Sequence, residues 1–247
     1  MADGLLLLHA FPLDSSMWEP QVSAFKDRLP VAAPDFPGFG SGGDAPEVMS
    51  MDSAAEAGLR AMDAAGIDKA VVCGLSMGGY AALAFWRNHR DRVAGLVLAN
   101  TRSGADDDAG KERRKGLADR LRAEGSQFLV DGPPPLLSAE ASEELWGRVK
   151  GIIAKQTAAG IAGGSLGMGA RPDYTDDLAG IDVPVLVITS TGDTLIPAEA
   201  TKPMASQVPN AQLEVIEGAG HLSNLEATGE FNRLLEAHLA KCGVLGG

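Results

Sequence analysis

Six short apolar runs punctuate the chain, at residues 5–8, 31–33, 70–73, 95–99, 185–189 and 212–216. Between them lie longer stretches with helical spacing, at about residues 18–26, 51–65, 78–88, 198–207 and 228–240. Short apolar runs alternating with helices are the signature of a parallel sheet whose strands are joined by crossover helices. The expected fold class is therefore α/β, with a six-stranded parallel sheet flanked by helices.

Residues 102–182 break the alternation. This segment holds a charged helical stretch at 111–123, a Gly-Pro-Pro-Pro turn at 132–135, a helix at 138–155 and a small-residue run at 158–170. Gly160, Gly163, Gly164, Gly167 and Gly169 in that run read as a loosely packed, room-making stretch, since no Lys-Ser/Thr follows to make a phosphate loop. A plain surface excursion would leave Phe128, Leu129, Leu136, Leu137, Trp146, Ile152 and Ile153 uncovered. A helical cap over the strand ends, inserted before the fifth strand, would bury them. The expected division is a core of residues 1–101 and 183–247 with a cap of residues 102–182.

Candidate chemistry begins at Gly74-Leu75-Ser76-Met77-Gly78, between an apolar run and a helical stretch. Glycine at both ±2 positions lets the chain turn sharply enough to raise the Ser76 hydroxyl, and the following helix aims its positive end at the same point. A serine nucleophile needs a base. Of the four histidines, His221 lies in the glycine-loosened loop Gly218-Ala219-Gly220-His221 after the last apolar run. His89 reads as solvated surface, His238 as a helix-face residue, and His9 as a structural residue holding a loop by hydrogen bonds. For the acid, Asp193 stands just beyond the fifth run, although Thr191-Gly192-Asp193 also suits a turn. Asp173, Asp176, Asp177 and Asp182 precede that run and would lie at the wrong sheet edge. An oxyanion hole would use the backbone N–H of Met77 and one from the loop after the first run, where Phe11 is the candidate.

Together these pieces resemble the α/β-hydrolase superfamily, and the likeness spans Leu5 to about Leu239. The order Ser76, Asp193, His221 is that family's nucleophile–acid–base order, which favours Asp193 over a turn residue. Asp35-Phe36-Pro37-Gly38-Phe39-Gly40-Ser41 matches its loop after the second strand, and Asp91-Arg92-Val93 its approach to the fourth. Ala10 stands where glycine is more common after His9. The antiparallel hairpin that many members carry at the N-terminus has no sequence here to form it. Gly220-His221-Leu222-Ser223-Asn224-Leu225-Glu226 is similar to the histidine loop of small carboxylesterases and 3-oxoadipate enol-lactonases. The resemblance implies a carboxylic ester hydrolase working through an acyl-enzyme. Alternatives are an enol-lactonase, a perhydrolase, a C–C hydrolase, or a signalling member that binds a ligand without turning it over. A lactone substrate of this type would be a carboxylate, which makes Arg102 and Arg171 the residues to inspect.

Composition changes this picture little. At 247 residues with 45% hydrophobic content the chain suits one large domain. A formal charge of −12 argues against nucleic acid and anionic membranes as partners, and mildly against polyanionic substrates unless a local basic patch intervenes. The first apolar run is too short for a signal peptide and no stretch suits a membrane span, so a cytoplasmic location is expected. The two cysteines make no disulfide framework: Cys73 reads as a buried thiol and Cys242 as part of a mobile tail. Gly38-Phe39-Gly40-Ser41-Gly42-Gly43 lacks the spacing and the helix of a dinucleotide site, and no cluster has metal-ligand spacing, so no cofactor or metal is expected. Asp106-Asp107-Asp108 reads as a solvated loop. The partner expected is a small-molecule ester or lactone.

Overall fold

Leu5, Leu6, Leu7 and Leu8 have no exposed surface, so both faces of the first strand are covered by other elements. That is the environment in which an unbroken apolar run forms a central parallel strand. The computed structural model describes residues 2–245. In chain order the elements are β1 (Ala2–Leu8), α1 (Glu19–Phe25), β2 (Val31–Ala32), α2 (Met51–Ala64), β3 (Ile67–Leu75), α3 (Met77–Asn88) and β4 (Val93–Ala99). Then come α4 (Asp108–Glu124), α5 (Gln127–Asp131), α6 (Glu143–Ile153) and α7 (Ala158–Ala170). The chain returns to the sheet with β5 (Val185–Ser190), α8 (Ala198–Gln207), β6 (Ala211–Ile216), α9 (Ser223–Glu226) and α10 (Thr228–Lys241).

The sheet order is β2-β1-β3-β4-β5-β6, and every pairing is parallel. Leu8 pairs with Gly74 and Gly74 with Leu98, so β1, β3 and β4 end in register. Parallel alignment places all the strands' C-terminal ends at one edge, where α/β sheets bind their ligands. Loops leaving that edge carry the candidate residues. Among the described residues, no helix is long and apolar enough to cross a membrane.

Side-chain caps set several helix starts. Ser50 accepts from Ser53 N, Asp107 from Gly110 N and Thr157 from Gly160 N. Ser142 accepts from Leu145 N, which is why α6 begins at Glu143 and is shorter than the expected 138–155 helix.

The small-residue run departs most from expectation. It forms the regular helix α7, and its glycines are tightly packed. A Cβ on Gly160 would collide with the Gly38 carbonyl, one on Gly163 with that of Pro46, and one on Gly167 with that of Met49. Met49 N donates to the Gly163 oxygen at 3.0 Å, and Ser165 Oγ to the Arg114 oxygen at 3.0 Å. Missing side chains therefore let α7 lie backbone to backbone on the 38–49 loop. They make no room. Cys242 also differs from expectation: it caps α10, half-buried, with its sulfur 3.6 Å from His238 Nε2.

Candidate active site

β3 ends at Leu75 and α3 begins at Met77, leaving Ser76 alone to make the turn. Its backbone sits at φ 57° and ψ −115°, a conformation L-residues rarely adopt. The turn is that sharp only because its neighbours lack side chains: a Cβ on Gly74 would meet the Gly78 carbonyl, and one on Gly78 the Leu8 carbonyl. Ser76 N donates to the Ala99 oxygen at 3.0 Å, and Thr101 Oγ1 to the Ser76 oxygen at 2.8 Å, which ties the turn to the end of β4.

His221 follows β6 and is buried. Its Nδ1 lies 2.8 Å from Asp193 Oδ2. A carboxylate at Nδ1 selects the tautomer protonated there and leaves the lone pair on Nε2. The other Asp193 oxygen accepts the Leu195 and Ile196 amides at 2.9 and 3.0 Å. Burial pushes the Asp193 carboxyl up, but its bond and charge interaction with His221, the Ile196 amide and Asn100 outweigh that and hold it below the usual range.

Asn100, at φ 45°, carries a role that the sequence reading missed. Its Nδ2 donates to Asp193 Oδ2 at 3.0 Å and to Ser190 Oγ at 2.7 Å, while its Oδ1 accepts from Ser223 Oγ at 2.6 Å. Ser190 Oγ donates onward to the Gly220 oxygen at 2.6 Å. One buried network thus fixes Asp193 and the loop of His221 together. A polar residue ending an apolar strand at the sheet's C-terminal edge was the available signal. Glu226 adds a second anchor, accepting from Gly220 N at 2.9 Å and from Ser138 N at 3.0 Å.

Ser76 and His221 line one cavity of about 410 Å³ together with Phe11 and Tyr80. Among the described residues, the backbone N–H groups of Phe11 and Met77 donate to no protein acceptor. The Met77 amide opens α3, where first-turn donors have no intrahelical partner.

The remaining histidines divide as follows. His9 is fully buried; its Nε2 accepts from Phe36 N at 3.0 Å, which links the loops after β1 and β2 as expected. His89 is bonded to Glu56 at 2.8 Å. His238 lies on the buried face of α10, beside Gly95 and Cys242.

Asp106 is a further correction. It lies in no solvated loop; its side chain is 2% exposed and bonds three arginines. Arg102 Nη2 donates to Oδ1, Arg171 Nη2 to Oδ1 at 2.9 Å and Arg114 Nε to Oδ2 at 3.1 Å. Burial pushes the Asp106 carboxyl up, yet Arg171 and then Arg114 hold it down at about 2. Arg171, fully buried, also lies over the Tyr80 ring at 4.0 Å. Of the two arginines singled out in the sequence, Arg102 faces the cavity and Arg171 does not line it.

Comparison with known proteins agrees with this architecture. A thermophilic esterase from Thermogutta terrifontis, solved with malate bound, superposes with a TM-score of 0.92 at 36% identity, covering 98% of this chain and 91% of that one. The enol-lactonase from Burkholderia xenovorans superposes with a TM-score of 0.86 at 27% identity over 97% and 92%. 3-Oxoadipate enol-lactonase 1 of Acinetobacter baylyi is 28% identical over 93% of this chain and 86% of its own. Residues 5–234 match the alpha/beta hydrolase family, and the chain belongs to it.

Proposed function

We infer that this protein is a serine hydrolase of small carboxylic esters. The observation that carries the reading is a strained Ser76 at a strand–helix turn sharing one cavity with a His221 whose far nitrogen is held by Asp193. Ester hydrolysis is also the activity named for the esterase relative.

Ser76 Oγ attacks the ester carbonyl as His221 Nε2 takes its proton. Asp193 stabilises the resulting imidazolium without taking the proton itself. The Phe11 and Met77 amides receive the oxyanion, each such donor lowering the barrier by on the order of 3 kcal/mol. Collapse expels the alcohol, which takes the proton from His221 and leaves an acyl-Ser76. Water, deprotonated by His221, attacks the acyl carbon; the acyl–Oγ bond breaks, the carboxylic acid leaves, and His221 returns its proton to Ser76 Oγ. In this scheme residues 102–182 act as the cap that closes the cavity.

Ser76→Ala should abolish labelling by a fluorophosphonate and lower 4-nitrophenyl acetate turnover by several orders of magnitude. Adding His221→Ala should cost little more, because members of such a unit are non-additive. Near-normal turnover by Ser76→Ala would overturn the assignment. A ring ester uses the same steps, and the enol-lactonase relatives together with Arg102 in the cavity favour a lactone as the second reading.

A further inference from the structure

We propose that the cap-side wall of the Ser76 cavity is an acid-group subsite, in which Arg102, Arg113 and Arg114 take a free carboxylate carried by the ester or lactone substrate. The proposal rests on the hydrolase reading above and adds the substrate's chemical class. All three arginines line the cavity that holds Ser76 and His221.

Their charge is undercompensated. The carboxylate that serves Arg102 and Arg114 is Asp106, which it shares with the buried Arg171. Arg113 has no carboxylate partner among the described residues, and Arg114 uses only Nε on Asp106, leaving both terminal amino groups without a protein acceptor there. The cluster of four arginines and one aspartate carries a net +3, in a chain whose formal charge is −12. A cationic concavity inside an anionic molecule focuses field on small anions and steers them inward. Asp106 holds Arg102 and Arg114 in fixed orientations, and the planar guanidinium fork matches a carboxylate in a bidentate way that a spherical cation cannot. The rest of the lining includes Phe11, Leu136, Met168 and Leu195, which suits a hydrocarbon spacer between the ester and the acid.

Two matched substrate pairs test this. Mono-4-nitrophenyl glutarate is compared with 4-nitrophenyl pentanoate, and 4-acetoxybenzoate with its methyl ester. These place the carboxylate on the acyl or on the alcohol side. Expected is at least a tenfold preference in kcat/KM for the acid member of one pair at low salt, shrinking as ionic strength rises. Arg113→Gln and Arg102→Gln should collapse that ratio toward one, chiefly through KM, with Arg113→Lys retaining part of it. Arg113 is exposed, so its variants fold even where removal of Arg102 does not. Glutarate should also raise the thermal midpoint of Ser76→Ala, and Arg113→Gln should abolish that shift. Binding by the inactive variant separates the subsite from the chemistry: an active Ser76→Ala would sink the hydrolase reading while leaving the subsite standing. No preference in either pair, or equal stabilisation by sulfate, would overturn the carboxylate assignment.

Discussion

Asp193 is saturated before any substrate arrives: two amides on one oxygen, Asn100 and His221 on the other. Asparagine at this position would keep the shape but present an amino group or a weaker acceptor to His221 Nδ1. We expect Asp193→Asn to fold normally and to lower kcat by roughly 10⁴, as loss of the correct tautomer does elsewhere. Asp177→Asn, at the surface near Arg87, should leave kcat within about twofold, since exposed pairs couple weakly. Equal losses in the two variants would move the acid away from Asp193. Ser76 and His221 stand out in the sequence because local glycine patterns surround them. Asn100 and Asp106 do not, because what defines them lies elsewhere in the chain. Asn100 reaches across 93 positions to Asp193, and Asp106 finds one of its three arginines beyond α7. Arg102 and Arg114 stand only four and eight positions from Asp106, but nothing local shows that Arg171 arrives from beyond α7 and buries the cluster.

At the scale of elements, the apolar runs located every strand, and their ends shifted by only a few residues. Packing on both faces selects such runs so strongly that little else matches them. α7 shows the opposite case. Five glycines in thirteen residues weaken a helix intrinsically, yet tertiary contact with the 38–49 loop overrides propensity. A test follows from the same geometry. Gly163→Ala or Gly167→Ala forces a methyl group into a backbone carbonyl and should lower stability by about 1–3 kcal/mol or more in urea unfolding. Gly147→Ala in α6, where a Cβ meets open space, should raise it by up to about 1 kcal/mol. A stabilised Gly167→Ala would mean that α7 stands off the loop.

For the whole molecule, acid stability is governed in part by His238, far from the cavity against β4. Burial, reinforced by Lys241, pushes it down to about 4, because the charged form cannot be hydrated there. The unfolded chain takes up this proton near pH 6.5 and the folded one only near 4. Stability from this residue is therefore complete above pH 6.5 and lost as pH falls through 4, on the order of 3 kcal/mol in all. His238→Leu should flatten the decline in urea midpoint between pH 6.5 and 4. An unchanged slope would place the acid sensitivity elsewhere.

The glycine seam along α7 has a consequence for how molecules come and go. In the cap proposed above, α7 is joined backbone to backbone to the 38–49 loop and hydrogen-bonded at Met49, so this helix has no free edge to swing on. Under such a cap, traffic would use a doorway of fixed width. An enzyme so built would sort its visitors by girth at the threshold and gain nothing from an oil droplet that would pry a hinged door open.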